Sequence, residues 1–311
     1  MIIQFIKYST LINIFLYLVN NYGFGIVTGM LKNYLKICCS LLLLFSAASY
    51  ARPIHIVAAE NFYGDMASRL GGPYVEVVNI MQSPNQDPHL FSSNLRTAKA
   101  IADADLIIYN GLDYDHWIDN LIAANGKKNT LQVAALANKR SGDNPHIWYD
   151  PDVMVEYARE LTSRLAGLDP AHTNYYQRQL EALMPKYNNL LLEIQKLKNK
   201  YHGTPVIATE PVFNYMAEHL GLKMHGHGFQ ISMMNDTEPS IADTKQFETD
   251  LLQHNVKVLI YNRQVTNPMT IRMQNLAKQG GVRVMGVNEM QPAGKDYIEW
   301  MEDELKNIEE K

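Results

Sequence analysis

One stretch constrains this chain more than any other, a long helical seam that separates two blocks of a different pattern. Tyr176, Leu180, Leu183, Tyr187, Leu190, Ile194, Leu197 and Tyr201 follow one another at alternating steps of four and three. That spacing keeps one face of an α-helix apolar turn after turn. Asp169-Pro170 supplies an N-cap and a first-turn proline, so the helix is expected over residues 169–202. At 1.5 Å per residue it would run roughly 45 Å, too long for a crossover inside one small lobe. Pro185 lies within it and removes a backbone donor, which predicts a kink or break there. A coiled-coil dimer is the alternative use of such a seam.

On either side, short apolar runs alternate with amphipathic stretches. Residues 54–59, 75–80, 106–110 and 130–134 read as strands, with helices at 62–70, 94–102, 116–124 and 151–166. After His202-Gly203 the alternation resumes, with strands at 205–209, 229–232, 256–261 and 282–287 and helices at 211–220, 241–255, 268–279 and 295–306. Such alternation builds βα units on a mostly parallel sheet. The expected fold class is therefore α/β: two βα lobes with parallel-type sheets, at 52–168 and 203–311, joined by one long connecting helix. A cleft between lobes is the default place for a ligand.

Residues 1–51 differ from the body. They hold Lys7, Lys32 and Lys36 and no acidic residue, so the remainder is more acidic than the net −4 of the whole chain. Residues 30–51 have the form of a signal peptide: a positive start, an apolar core at 37–48, and Ser49-Tyr50-Ala51 before an expected cleavage after Ala51. Met30 opens that signal by itself and is the expected start, with 1–29 as an upstream extension. A membrane anchor is the competing reading, although the core is short for a spanning helix. The two cysteines, Cys38 and Cys39, lie inside the signal. The exported body then has no disulfide and no thiolate ligand. Leu35-Lys36-Ile37 lacks the small residues that precede a lipidated cysteine, so a periplasmic protein is expected rather than a lipoprotein. No basic block marks the body, which argues against a nucleic-acid partner.

Four segments near strand ends carry chemistry, and strand C-terminal ends are where α/β folds place ligands. Asp87-Pro88-His89 and Asn144-Pro145-His146 each set a histidine straight after a proline, which restricts the preceding backbone and helps fix the imidazole. Thr209-Glu210-Pro211 and Asn288-Glu289 follow later strands. Each has a plainer reading: turn histidines, a carboxylate at a helix start, a surface loop. His225-Gly226-His227 is a further pair, expected in a surface loop. His116 with Asp113, Asp115 and Asp119 reads as a helix-start charge cluster, and Asp150 as a carboxylate that could orient a ligand imidazole. No HExxH, serine triad or phosphate-binding glycine loop is present.

Taken together, these segments resemble the zinc/manganese-type (TroA-like) solute-binding proteins of ABC importers. The resemblance rests on Asp87–His89, Asn144-Pro145-His146-Ile147-Trp148-Tyr149-Asp150-Pro151, Leu168-Asp169-Pro170 and residues 209–222, with support from 60–72 and 110–118, and covers about 54–308. It implies a monomeric periplasmic carrier, not an enzyme, that hands its ion to an ABC permease in the inner membrane. The implied ligands are His89 and His146 from the first lobe, with Glu210 and Glu289 from the second. The family commonly has Asp at the position of Glu289, so the longer carboxylate is a departure. Two imidazoles and two carboxylates suit one Zn²⁺ or Mn²⁺ per chain, and protonating the imidazoles would weaken binding as pH falls towards about 6. The rival ligands are chelated iron, as a siderophore or haem. A metal-dependent hydrolase is the remaining alternative, although four protein ligands leave no open position for water.

Overall fold

The computed structural model describes residues 14, 16–23, 25, 28, 29, 32, 52–83, 91–126, 129–265 and 267–309. The apolar core of the expected signal and its cleavage point after Ala51 lie outside the described residues. The chain forms two compact units, Met1–Arg52 and Pro53–Lys311. In the first, the described residues are helical up to Lys32, apart from Gly23. Everything below concerns the second. Among the described residues no helix is long and apolar enough to cross a membrane.

The second unit opens with β1 (Ile54–Glu60), α1 (Asn61–Gly71), β2 (Val75–Met81), α2 (Leu95–Asp103), β3 (Leu106–Tyr109), α3 (Trp117–Ala124), β4 (Thr130–Gln132) and α4 (Pro151–Leu168). The long helix α5 spans Thr173–Tyr201. There follow β5 (Pro205–Ala208), α6 (Asn214–His219), β6 (Lys223–His225), α7 (His227–Met234), α8 (Ile241–Leu252), β7 (Val258–Asn262), α9 (Pro268–Gln279), β8 (Arg283–Val287) and α10 (Tyr297–Glu309).

Each lobe holds a four-stranded sheet, in the orders β2-β1-β3-β4 and β6-β5-β7-β8. Every pairing is parallel. The strand order of the second lobe therefore repeats that of the first. Central strands are apolar on both faces because helices cover both: Ile56, Val57, Ala58 and Ala59 of β1 have no exposed surface. Some helices start at side-chain caps. Asn94 accepts from the N–H groups of Arg96 and Thr97 at 2.9 and 3.1 Å, and Asp150 accepts from Asp152 N before Pro151 opens α4.

One apolar core runs through both lobes, with Tyr176, Tyr187, Leu190, Ile194 and Leu197 of α5 packed into it. The seam thus serves an interface between lobes within one chain. On the outer faces lie two smaller clusters, one under α2 and α3 and one under α7, α8 and α9. Helix α5 runs unbroken for 29 residues with Pro185 inside it, about 43 Å at helical rise. The expected break does not occur. Pro185 sits on the exposed side, where the carbonyl left by its missing N–H is within reach of solvent.

Residues 229–232, expected as a strand, belong to α7, and the strand beside β5 is β6, which starts six residues earlier. Gly226, in the left-handed region at φ 75°, turns the chain from β6 into the helix. Gln230 then points inward, fully buried, and bonds Asn214 and the carbonyl of His225 at 2.9 and 2.7 Å.

Candidate metal centre

Identical strand orders give each lobe the same switch point, between β1 and β3 in the first and between β5 and β7 in the second. Ligand crevices of open parallel sheets form outside the strand C-termini at such points. The residues placed there match in kind. Glu60 and Asn110 end β1 and follow β3, and Glu210 and Asn262 stand after β5 and at the end of β7. His146 comes from the loop after β4, and Glu289 from the loop after β8. His89 lies outside the described residues.

Three of the four expected ligands converge. His146 and Glu289 have no exposed surface, and Glu210 has 4 %. His146 Nε2 lies 3.5 Å from Glu289 Oε1. The amide of Asn262 donates to Glu210 Oε2 at 2.9 Å and to Glu289 Oε2 at 2.6 Å, tying the two carboxylates together. His146 Nδ1 lies 2.6 Å from Asn144 Oδ1. An acceptor there keeps the proton on Nδ1 and turns the unprotonated Nε2 towards Glu289. Tyr114 reaches across from the first lobe and donates to Glu289 Oε1 at 3.0 Å.

Tyr114 is aimed by a strained loop. Gly111, Leu112 and Asp113 have φ of 81°, 59° and 64°, and a left-handed leucine costs roughly 1–2 kcal/mol. The buried Asp115 carboxylate braces this loop by accepting from the N–H groups of Asn110 and Gly111 at 2.6 and 2.8 Å. Asn110 in turn accepts from Tyr63 OH at 2.6 Å and donates to the carbonyl of Pro145, next to His146. Asp115, read from the sequence as part of a helix-start charge cluster, is a buried loop brace. Burial pushes its carboxyl up to about 7 against those N–H bonds, which pull it down. Glu60 is pushed well above the ordinary carboxylate range by burial first and by Asp115 second. Both shifts mean that the folded protein binds protons the unfolded chain has lost, so these groups cost stability as pH rises from about 4.5. In metal-free protein, Glu60→Gln is expected to flatten the fall in Tm between pH 5 and 8, measured by scanning calorimetry.

The segment from Asn144 to Asp150 also fastens the lobes together. Asn144 donates to Pro211 O at 2.8 Å and accepts from Tyr215 OH at 2.7 Å. Tyr149 OH donates to Asn288 O, and Tyr297 OH to Trp148 O. Asp150 pairs with His219 at 2.9 Å, so it serves this seam rather than the imidazole of His146. Asp150, Asp152 and His219 have donor atoms within 4.8 Å of one another, but a half-exposed ion pair and a helix cap account for that grouping.

The hydrogen bond to Asp150 raises His219 above its ordinary pKa. Burial works against Asp150, yet the bond and charge of His219 hold it below the usual value. The Asp150 contribution appears above about pH 4, and that of His219 is complete below about 6.5 and lost as pH rises through its raised value. His219→Gln should therefore lower Tm most near pH 5.5 and little at pH 9. His225, expected in a surface loop, ends β6 and lies 3.2 Å from Asp250, while His227 opens α7.

Two matching parallel lobes stand on one long helix, with polar ligand-type groups meeting between their strand ends. Residues 56–311 match the family described as ZnuA, zinc-uptake complex component A, periplasmic, and the chain belongs to that family. The family is one of substrate-binding proteins of ABC transporters, not of enzymes. The metal ABC transporter substrate-binding lipoprotein SloC of Streptococcus mutans is 26 % identical over 208 residues, which is 59 % of this chain and 66 % of the relative. The manganese ABC transporter substrate-binding lipoprotein PsaA of Streptococcus mitis is 22 % identical over 56 % of this chain and 62 % of its own length. The chain thus spans a little under two thirds of these two relatives. The fold is that of the periplasmic zinc-binding protein TroA of Treponema pallidum, with a TM-score of 0.71 and 17 % identity over 83 % of this chain and 98 % of that one.

Proposed function

We propose that this protein is exported, captures one divalent transition metal, Zn²⁺ or Mn²⁺, between its lobes, and delivers it to an ABC permease in the inner membrane. The observation that carries this reading is the meeting of Glu210, Glu289 and His146. Two carboxylates share one Asn262 amide, and one of them lies 3.5 Å from Nε2 of a buried imidazole from the other lobe. His89, whose position in the sequence falls between β2 and α2, is the fourth ligand of this proposal. Two neutral imidazoles and two carboxylates give a net −2 site for a +2 ion, with nitrogen and oxygen donors that suit either metal. Tyr114, Asn144 and Asn262 hold the ligands in place, the role of outer groups that commonly changes affinity by about 10–100-fold.

Elemental analysis of the purified protein tests this directly. One Zn or Mn per chain is expected, and Asn262→Leu should keep the fold while weakening retention of the ion in a chelator competition. A metal-free protein that takes up neither ion would refute the reading.

A further inference from the structure

The second lobe contains a cavity of about 370 Å³ at the end of its sheet opposite the carboxylates. It lies at the N-terminal ends of β5, β7 and β8, under the last turns of α5 and α10. Val206, Leu222, Val258, Ile260, Met285 and Ile308 form its walls. Val206, Ile260 and Met285 are 2 %, 2 % and 4 % exposed, so the cavity reaches into the core. A mostly apolar lining of this kind favours an apolar ligand. The volume falls within the roughly 300–1,000 Å³ usual for small-ligand pockets.

Charge is confined to the rim. Lys257, just before β7, is exposed, and its ammonium has no ion-pair partner among the described residues. Arg283 spans the opposite edge and donates to the carbonyls of Asn307 and Ile308 at 2.7 and 3.1 Å, closing the end of α10. Glu309, the carboxylate at the rim, is held by Lys200 at 3.0 Å. An apolar interior with an available cation at its edge suits an alkyl chain that ends in an anion.

We propose that this cavity binds a single-chain anionic amphiphile, with its alkyl chain between the sheet and the ends of α5 and α10 and its head group at Lys257. Free fatty acids and lysophospholipids share that chemistry. The site is separate from the metal centre and does not depend on it.

Native mass spectrometry and fluorescent-probe displacement with dodecanoate, lauroyl lysophosphatidylglycerol and dodecanol test the proposal. Saturable binding of one anionic amphiphile per chain is expected, and the tighter of the two anionic ligands identifies the source. Val258→Phe fills the cavity and should weaken binding about tenfold or more. Lys257→Glu, on the surface and harmless to folding, should weaken dodecanoate by about threefold and leave dodecanol unchanged. Absence of saturable binding by either anionic ligand would overturn the proposal. So would binding indifferent to both substitutions, or dodecanoate binding that Lys257→Glu does not touch.

Discussion

Adding Mn²⁺ or Zn²⁺ to metal-free protein is expected to raise its Tm by about 10 °C, and Glu210→Ala/Glu289→Ala should show no rise at all. Ligand that binds only the folded state stabilises by about 4 kcal/mol at a thousand times its Kd. For a body of this size each kcal/mol moves Tm by roughly 2–4 °C. The double variant should not suffer in the metal-free state. It removes two buried carboxylates that crowd a single amide, and a bound cation would offset the cost of bringing them together. Differential scanning fluorimetry with and without metal reads both effects. A variant that still responded fully would mean that the ion sits elsewhere.

The second large effect is on packing beneath the same site. Trp148 is fully buried, with ring centroids 4.7 Å from Phe62, 4.9 Å from Tyr114 and 5.2 Å from His146. Its carbonyl accepts from Tyr297 OH, which stands on α10 of the other lobe. Trp148→Ala should destabilise the protein by about 3–5 kcal/mol, as truncations of buried aromatics do, and chemical denaturation measures it. Trp148→Phe should cost much less. The indole Nε1 is buried with no hydrogen-bond partner among the described residues, so its removal relieves an unmet polar group while the neighbouring rings keep an aromatic contact.

Much of the fold was legible because parallel strands buried on both faces are short apolar runs, as in Ile56 to Ala59. Phe229-Gln230-Ile231-Ser232 misled because apolar–polar alternation over four residues fits one turn of helix as well as a strand. The actual strand, Lys223-Met224-His225, is too short and too polar to stand out. His146, Glu210 and Glu289 carried local wording. Tyr114, Asn110 and Asn262 did not, since their roles come from contacts across the molecule. Tyr114 meets Glu289 from 175 positions away, and no local pattern encodes that. Their one readable signal was position: Asn110 directly follows β3, and Asn262 ends β7. Glu60 was readable in the same way, as the last residue of β1.

The continuity of α5 through Pro185 bears on how the protein would tell one ion from another. A stiff beam of 29 residues, buried along its inner edge in a core shared by both lobes, fixes the gap across the strand ends when the chain folds rather than when cargo arrives. On the proposed reading, ions are graded by how well their radius matches a preset aperture. Their dwell time is then governed by local unfastening of the Asn144 to Asp150 strap, bond by bond, instead of by the swing of a hinge.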